Sequence, residues 1–186
     1  RLLPGARRAS PILLTGATGC VGRQVLRRLG KRNCKVRLIV RDGSQSRIAE
    51  SNAIEAVIAT ADLWSESVAW CADVCRDVDS VIHVAWYAEP GQYLSSPKNL
   101  ECLAGTLRLA QGASQAKVRR FVGVGTCFEY DLGAGYLSVA TPLRPSTPYA
   151  AAKAAAFMAL SQFLPQQGVE FAWCRLFYLY GDDEDD

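Results

Sequence analysis

From Ile12 onward the chain alternates short apolar runs with longer stretches in which apolar residues recur every three or four positions. A short β-rich run marks a strand, and a period near 3.6 marks a helix with one buried face. The predicted strands are Ile12 to Thr15, Lys35 to Val40, Ile54 to Ala59, Ser80 to Ala85, Arg120 to Gly125 and Glu170 to Leu176. Helices are predicted between them over Val21 to Arg32, Leu63 to Cys75, Leu100 to Ala116 and Pro148 to Phe163; in the third, Leu103, Leu107 and Ala110 share one face. Pro165 and Gly168 are expected to end the fourth helix and turn the chain back. Strands that alternate with helices build βαβ units, and these pack as a doubly wound α/β fold: a parallel sheet with helices on both faces.

Composition narrows the class without changing the picture. The 186 residues, 49% hydrophobic and 21% charged, suit one ordinary globular domain. The net charge of +3 is small, and pairs such as Arg27-Arg28 and Lys31-Arg32 lie scattered through helical stretches, so no nucleic-acid partner is expected. No apolar run approaches the roughly 18 to 20 residues needed to span a bilayer, so no membrane partner is expected either. The 7 cysteines are an odd number without close pairing, which suits a reducing cytoplasm. Cys71 and Cys75 are one helical turn apart but lack two further ligands, and the one histidine, His83, lies inside a predicted strand, so no metal site is expected. Buried cysteine usually serves as a small apolar residue.

The chemistry begins directly after the first strand, with Gly16-x-x-Gly19-x-x-Gly22 opening onto a helix. One glycine permits the tight turn, a second lets the backbone approach a pyrophosphate, and a third lets helix and strand pack closely. The helix N-terminus adds free N–H groups and a positive dipole end. This makes the fold Rossmann-type and points to a dinucleotide. After the second strand, Leu38-Ile39-Val40 is followed by Arg41 before any acid, which favours a 2′-phosphate and hence NADP over NAD, unless Arg41 merely points to solvent. Asp62 and Leu63, after the third strand, stand where a carboxylate could hold the adenine amino group; Asp62 could equally cap the next helix.

Farther on, Tyr149 and Lys153 are one helical turn apart and share a face. With these residues the chain resembles the extended short-chain dehydrogenase/reductase family, the NAD-dependent epimerases, dehydratases and ketoreductases of nucleotide sugars. The resemblance runs from Ile12 to Gly181 through Thr15-Gly16-x-x-Gly19-x-x-Gly22, Val81-Ile82-His83-Val84-Ala85, Gly125-Thr126-Cys127-Phe128-Glu129-Tyr130, Tyr149-x-x-x-Lys153 and Arg175-x-x-x-x-Tyr180-Gly181. It implies that Gly16, Thr18, Gly19, Cys20, Val21, Gly22 and Ala85 line the cofactor, with Tyr149 and Lys153 touching it as well. It also implies a catalytic group of Thr126, Tyr149 and Lys153. Tyr149 would exchange a proton with the substrate oxygen, its pKa lowered by the ammonium of Lys153 and an oxidised nicotinamide. Thr126 would hydrogen-bond the reacting oxygen, or else simply cap a strand end.

The same comparison sets limits. Family 4,6-dehydratases carry Asp and Glu after this Thr, whereas Cys127 and Phe128 stand here, so epimerisation or keto-reduction is expected instead. His83 reads as a satisfied core residue, Tyr130 as a wall of the site, and the helical Asn of the family falls near Cys102, just past Asn99. The expected function is an NAD(P)-dependent epimerase or ketoreductase of a nucleotide-linked sugar. The alternatives are an NADPH-dependent reductase of a non-sugar carbonyl and a non-catalytic dinucleotide sensor, which Tyr149 and Lys153 speak against. A flexible arm over residues 1–10, a Rossmann domain over 11–181 and an acidic tail over 182–186 are expected, with the C-terminal substrate lobe of the family missing or truncated. Relatives dimerise through the helices matching Leu100 to Ala116 and Pro148 to Phe163, so a homodimer is expected, its close approach helped by the small residues of Ala150 to Ala156.

Overall fold

Six strands form one parallel sheet in the computed structural model, which describes residues 10–48 and 50–180. The arm up to residue 9, Gly181 and the tail 182–186 lie outside the described residues. In chain order the main elements are β1 (Ile12–Thr15), α1 (Cys20–Lys31), β2 (Val36–Arg41), β3 (Ile54–Thr60), α2 (Val68–Val74), β4 (Ser80–His83), α3 (Lys98–Gln115), β5 (Arg120–Thr126), α4 (Pro148–Gln166) and β6 (Glu170–Leu176). The sheet order β3-β2-β1-β4-β5-β6 reverses its direction of growth between β1 and β4. Ligands of such sheets bind beyond the C-terminal strand ends at this switch point.

Alternation along the strands divides the core in two. Leu13, Ile39, Val81 and Phe121 face Cys71, Leu109, Ala113, Leu160 and Leu164 of α2, α3 and α4, while Leu14, Leu38 and Val40 face Leu26 of α1. Each fully buried leucine of this kind contributes about 1.5–3 kcal/mol of hydrophobic stabilisation. On α3 the buried stripe is Cys102, Thr106, Leu109, Ala110 and Ala113, with Leu107 at its margin. Gly112 brings α3 against α2, since a Cβ there would stand 2.5 Å from Cys71 Cβ.

Most boundaries lie within one or two residues of the predicted ones, and three departures have a local reason. The second predicted helix begins five residues late: Asp62 Oδ1 accepts from Trp64 N at 3.0 Å in a tight turn, and Ser67 caps the helix by accepting from Trp70 N at 3.1 Å. Asp62 is therefore not the helix cap. The fourth strand leaves the ladder after His83 because Thr15 Oγ1 takes the N–H groups of Val84 (3.2 Å) and Ala85 (3.1 Å). The fourth helix passes through Pro165 to Gln166, and Gly168, at φ +76°, turns the chain into β6.

Candidate active site

The C-terminal ends of β1, β2, β3, β4 and β5 open into one cleft of about 760 Å³. Every predicted site residue lines it: Gly16, Thr18, Gly19, Cys20, Val21, Gly22, Arg41, Asp62, Leu63, Ala85, Thr126, Tyr149 and Lys153.

The three glycines have three distinct reasons to be glycine. Gly16 adopts φ +76°, and a Cβ on it would meet Ala85 N at 2.7 Å. At Gly22 a Cβ would lie 1.9 Å from the carbonyl oxygen of Gly16, so only glycine lets α1 start this close to the turn. Gly19 meets nothing closer than 3.6 Å; it keeps the approach to the α1 N-terminus open and lays no side-chain cap over it. A bare helix N-terminus above a glycine turn fits a pyrophosphate. Arg41 is the last residue of β2 and is exposed, with Ser44 and Arg47 beside it on the cleft wall. Asp62 and Leu63 line the same end.

The other end is built from buried side chains. Thr126 closes β5, 6% exposed, and its Oγ1 accepts from Phe128 N at 3.3 Å. The hydroxyl proton is then free to be donated, and the Thr126 hydroxyl acts to lower the pKa of Tyr149. Burial pushes the Tyr149 phenol up to about 12, with Tyr93, Glu129 and Cys127 adding to the rise and Thr126 opposing it. The phenol is thus raised, not lowered as the sequence led us to expect from Lys153. Lys153 is buried, donates to the Val124 carbonyl at 2.6 Å and lies with Nζ 4.0 Å from the centre of the Trp86 ring. Desolvation brings its pKa down to about 7, while Glu129 and Cys102 act to raise it.

His83 is the core residue the sequence suggested. Thr15 Oγ1 already accepts two backbone N–H groups, so it donates its proton to His83 Nδ1 at 2.9 Å, and His83 Nε2 donates to Thr106 Oγ1 at 2.9 Å. Burial, then Lys153, pushes its pKa down to about 3, which leaves the ring neutral. Tyr130 is not a wall of the cleft. It is buried, its ring under the Arg175 guanidinium at 4.8 Å.

Several residues that shape the site went unread in the sequence. Trp86, Tyr87, Tyr93, Phe128 and Tyr178 give the reacting end an aromatic lining. Tyr93 meets the Tyr149 ring edge-on at 4.8 Å. Glu129 is fully buried and accepts from Thr126 N (2.9 Å), Trp173 Nε1 (3.0 Å) and Arg175 Nε (2.7 Å), tying the ends of β5 and β6 together under Thr126. Its signal was available: Thr126-x-x-Glu129 has capping-box spacing, and the structure forms that box.

A model of the NAD dependent epimerase/dehydratase family matches residues 12–186. The dTDP-6-deoxy-L-talose 4-dehydrogenase (NAD(+)) of Aggregatibacter actinomycetemcomitans is 26% identical over 181 residues, covering 92% of this chain and 62% of its own length. A UDP-N-acetylglucosamine 4-epimerase from Methanobrevibacter ruminantium, solved with UDP-N-acetylmuramic acid, superimposes with a TM-score of 0.80 at 20% identity, over 96% of this chain and 58% of its own. A short-chain dehydrogenase/reductase superfamily protein from Agrobacterium tumefaciens, solved with bound NAD, has a TM-score of 0.67 at 25% identity, over 88% of this chain and 48% of its own. The chain therefore spans about half to three-fifths of the length of these proteins.

Proposed function

The chain belongs to the NAD dependent epimerase/dehydratase family, of the extended short-chain dehydrogenase/reductase type, and on that premise we propose that it is an NAD(P)-dependent epimerase or ketoreductase of a nucleotide-linked sugar. The observation that carries this reading is the convergence of Thr126, Tyr149 and Lys153 on the cleft whose other end is the Gly16–Gly22 turn.

The turn and the α1 N-terminus would hold the pyrophosphate, and Asp62 and Leu63 the adenine end. When bound, the cofactor supplies a hydride acceptor or donor. Tyr149 takes a proton from, or returns it to, the substrate oxygen, and the Thr126 hydroxyl donates a hydrogen bond to that same oxygen. Lys153 lies one helical turn from the phenol, and in its protonated form it would favour the phenolate. Cys127 and Phe128 offer no acid and base pair for eliminating water, which favours epimerisation or keto-reduction over dehydration.

NADP is proposed over NAD because Arg41, Ser44 and Arg47 stand together at the end of β2, where a 2′-phosphate would lie. Two of the named relatives, the talose dehydrogenase and the Agrobacterium tumefaciens protein, are described with NAD, so the choice is open to direct test. Titration of the full chain with NADPH and NADH is expected to show tighter NADPH binding, and Arg41→Ala should weaken NADPH by about tenfold while leaving NADH unchanged. Equal affinities, or NADPH affinity unmoved by the substitution, would overturn the preference. Absence of binding to both would overturn the function itself.

The aromatic lining also favours a second reading, a reductase of a non-sugar carbonyl. Product analysis with keto-sugars and aryl ketones separates the two. Pairing of two copies through α3 and α4 is proposed on the exposure of Leu100 and Met158 on those helices; a dimer mass in solution supports it and a monomer mass overturns it.

A further inference from the structure

Trp86 stands where the chain leaves β4, and its ring is held among Trp64, Asn99, Tyr149 and Lys153. Its Nε1 donates to Asn99 Oδ1 at 2.9 Å. Asn99 is itself fully buried, and its Nδ2 donates to the carbonyls of Tyr93 (2.6 Å) and Ser96 (2.9 Å). Two carbonyls that need a donor and an indole that needs an acceptor fix the orientation of the amide. Thus α3 holds the indole, and the indole face meets Lys153 Nζ at 4.0 Å from the ring centre. The same ring meets Tyr149 edge-on at 6.4 Å, and Tyr149 N donates to Leu94 O at 3.1 Å. The segment from Trp86 to Pro97 is thereby joined to both members of the pair. Cys102, at the place of the family's helical Asn, has its sulfur engaged by Tyr87 N at 3.4 Å.

We propose that Trp86 is a positioning residue for the Lys153–Tyr149 pair, its indole face carrying part of the ammonium's charge and Asn99 locking that face in place. The inference rests on the catalytic reading of Lys153 given above. Its physical basis is the cost of a buried ammonium. Lys153 has one carbonyl partner, Val124, and a desolvated ammonium gains more from an aromatic face than an exposed one does. The other groups acting on it are Glu129 from the turn after β5, Cys102 from α3 and His83 from β4; Tyr149 lies on its own helix. Glu129 is already engaged by Thr126, Trp173 and Arg175, His83 is neutral, and burial pushes the Cys102 thiol up to about 11, which leaves the indole as the source of negative potential beside the Val124 carbonyl. An aromatic face also withholds no N–H of Lys153 from a ligand.

The test uses the full chain without cofactor. Lysine labelled with ¹³C at Cε is titrated by NMR, with the Lys153 signal assigned by Lys153→Arg. Trp86→Leu and Trp86→Met remove the aromatic face, and Trp86→Phe keeps a smaller one. The parent signal should titrate near 7. Trp86→Leu and Trp86→Met should lower that midpoint by about half a pH unit or more, and Trp86→Phe by less than half as much. The proposal is overturned if neither aliphatic variant moves the midpoint downward, or if Trp86→Phe moves it as far as they do. Because the readout is a proton on Lys153, it is independent of NADH or NADPH binding, whose failure would count against the proposed function instead.

Discussion

The two ends of the cleft are made of different material. The end formed by β1, α1 and β2 is backbone and exposed charge: a glycine turn, a bare helix N-terminus, and Arg41 and Arg47 at the surface. The end formed by β4, α3, β5 and α4 is a set of buried polar side chains, His83, Asn99, Thr126, Glu129 and Lys153, and all of these but Thr126 find hydrogen-bond partners far along the chain. An open end can admit a charged ligand without displacing protein contacts. A closed one can shift the proton affinity of its groups, because low dielectric strengthens every charge it contains. One cleft thus combines an open, solvent-facing half with a half where burial raises Tyr149 and lowers Lys153.

If that contrast is right, substitutions in the closed half should leave cofactor affinity nearly intact, and those in the open half should lower it. The largest effect is expected from Glu129→Leu, which leaves the Arg175 guanidinium, 13% exposed, without its carboxylate. Breaking such a pair costs about 3–5 kcal/mol, read by urea denaturation. A loss below about 1 kcal/mol would show that the tie between β5 and β6 is not structural. Next is Gly22→Ala, whose Cβ collides with the Gly16 carbonyl and pushes α1 off the turn. We expect a loss of about 1–3 kcal/mol in stability and at least about tenfold in NADPH affinity. Unchanged affinity would break the assignment of the turn to pyrophosphate.

The smallest effect is a slope. His83 is neutral when folded, with its pKa pushed from 6.5 to about 3, so the unfolded chain binds more protons between those values. Stability from this group is complete above pH 6.5 and is lost as the pH falls toward 3, by up to about 1.4 kcal/mol per pH unit. His83→Gln should flatten the dependence of the urea midpoint between pH 6 and about 4, and a slope equal to the parent's would place the cause elsewhere.

The same contrast explains what could be read from the sequence. Backbone-built features have local signatures: the glycine spacing, Arg41 at a strand end, and Tyr149 and Lys153 one turn apart all lie within short windows, and all reach the cleft. The order of strands and helices is similarly local. The partners of the closed half are set by long-range packing, such as Trp86 with Asn99 and Lys153, or Glu129 with Trp173 and Arg175. Sequence spacing carries no register between β5 and β6, so the buried carboxylate under Thr126 could be found only as a capping-box pattern. Tyr130 was misplaced for a related reason, since the short turn Cys127–Glu129 swings it out of the cleft and under Arg175.

The central claim is that Tyr149 moves the proton while the glycine turn holds the cofactor. Its most direct test pairs two measurements on Tyr149→Phe in the full chain: turnover of a keto-sugar and the Kd for NADPH. The account predicts turnover lowered by about 10²–10⁴-fold with Kd within about twofold of the parent. Turnover retained at the parent's rate would contradict it.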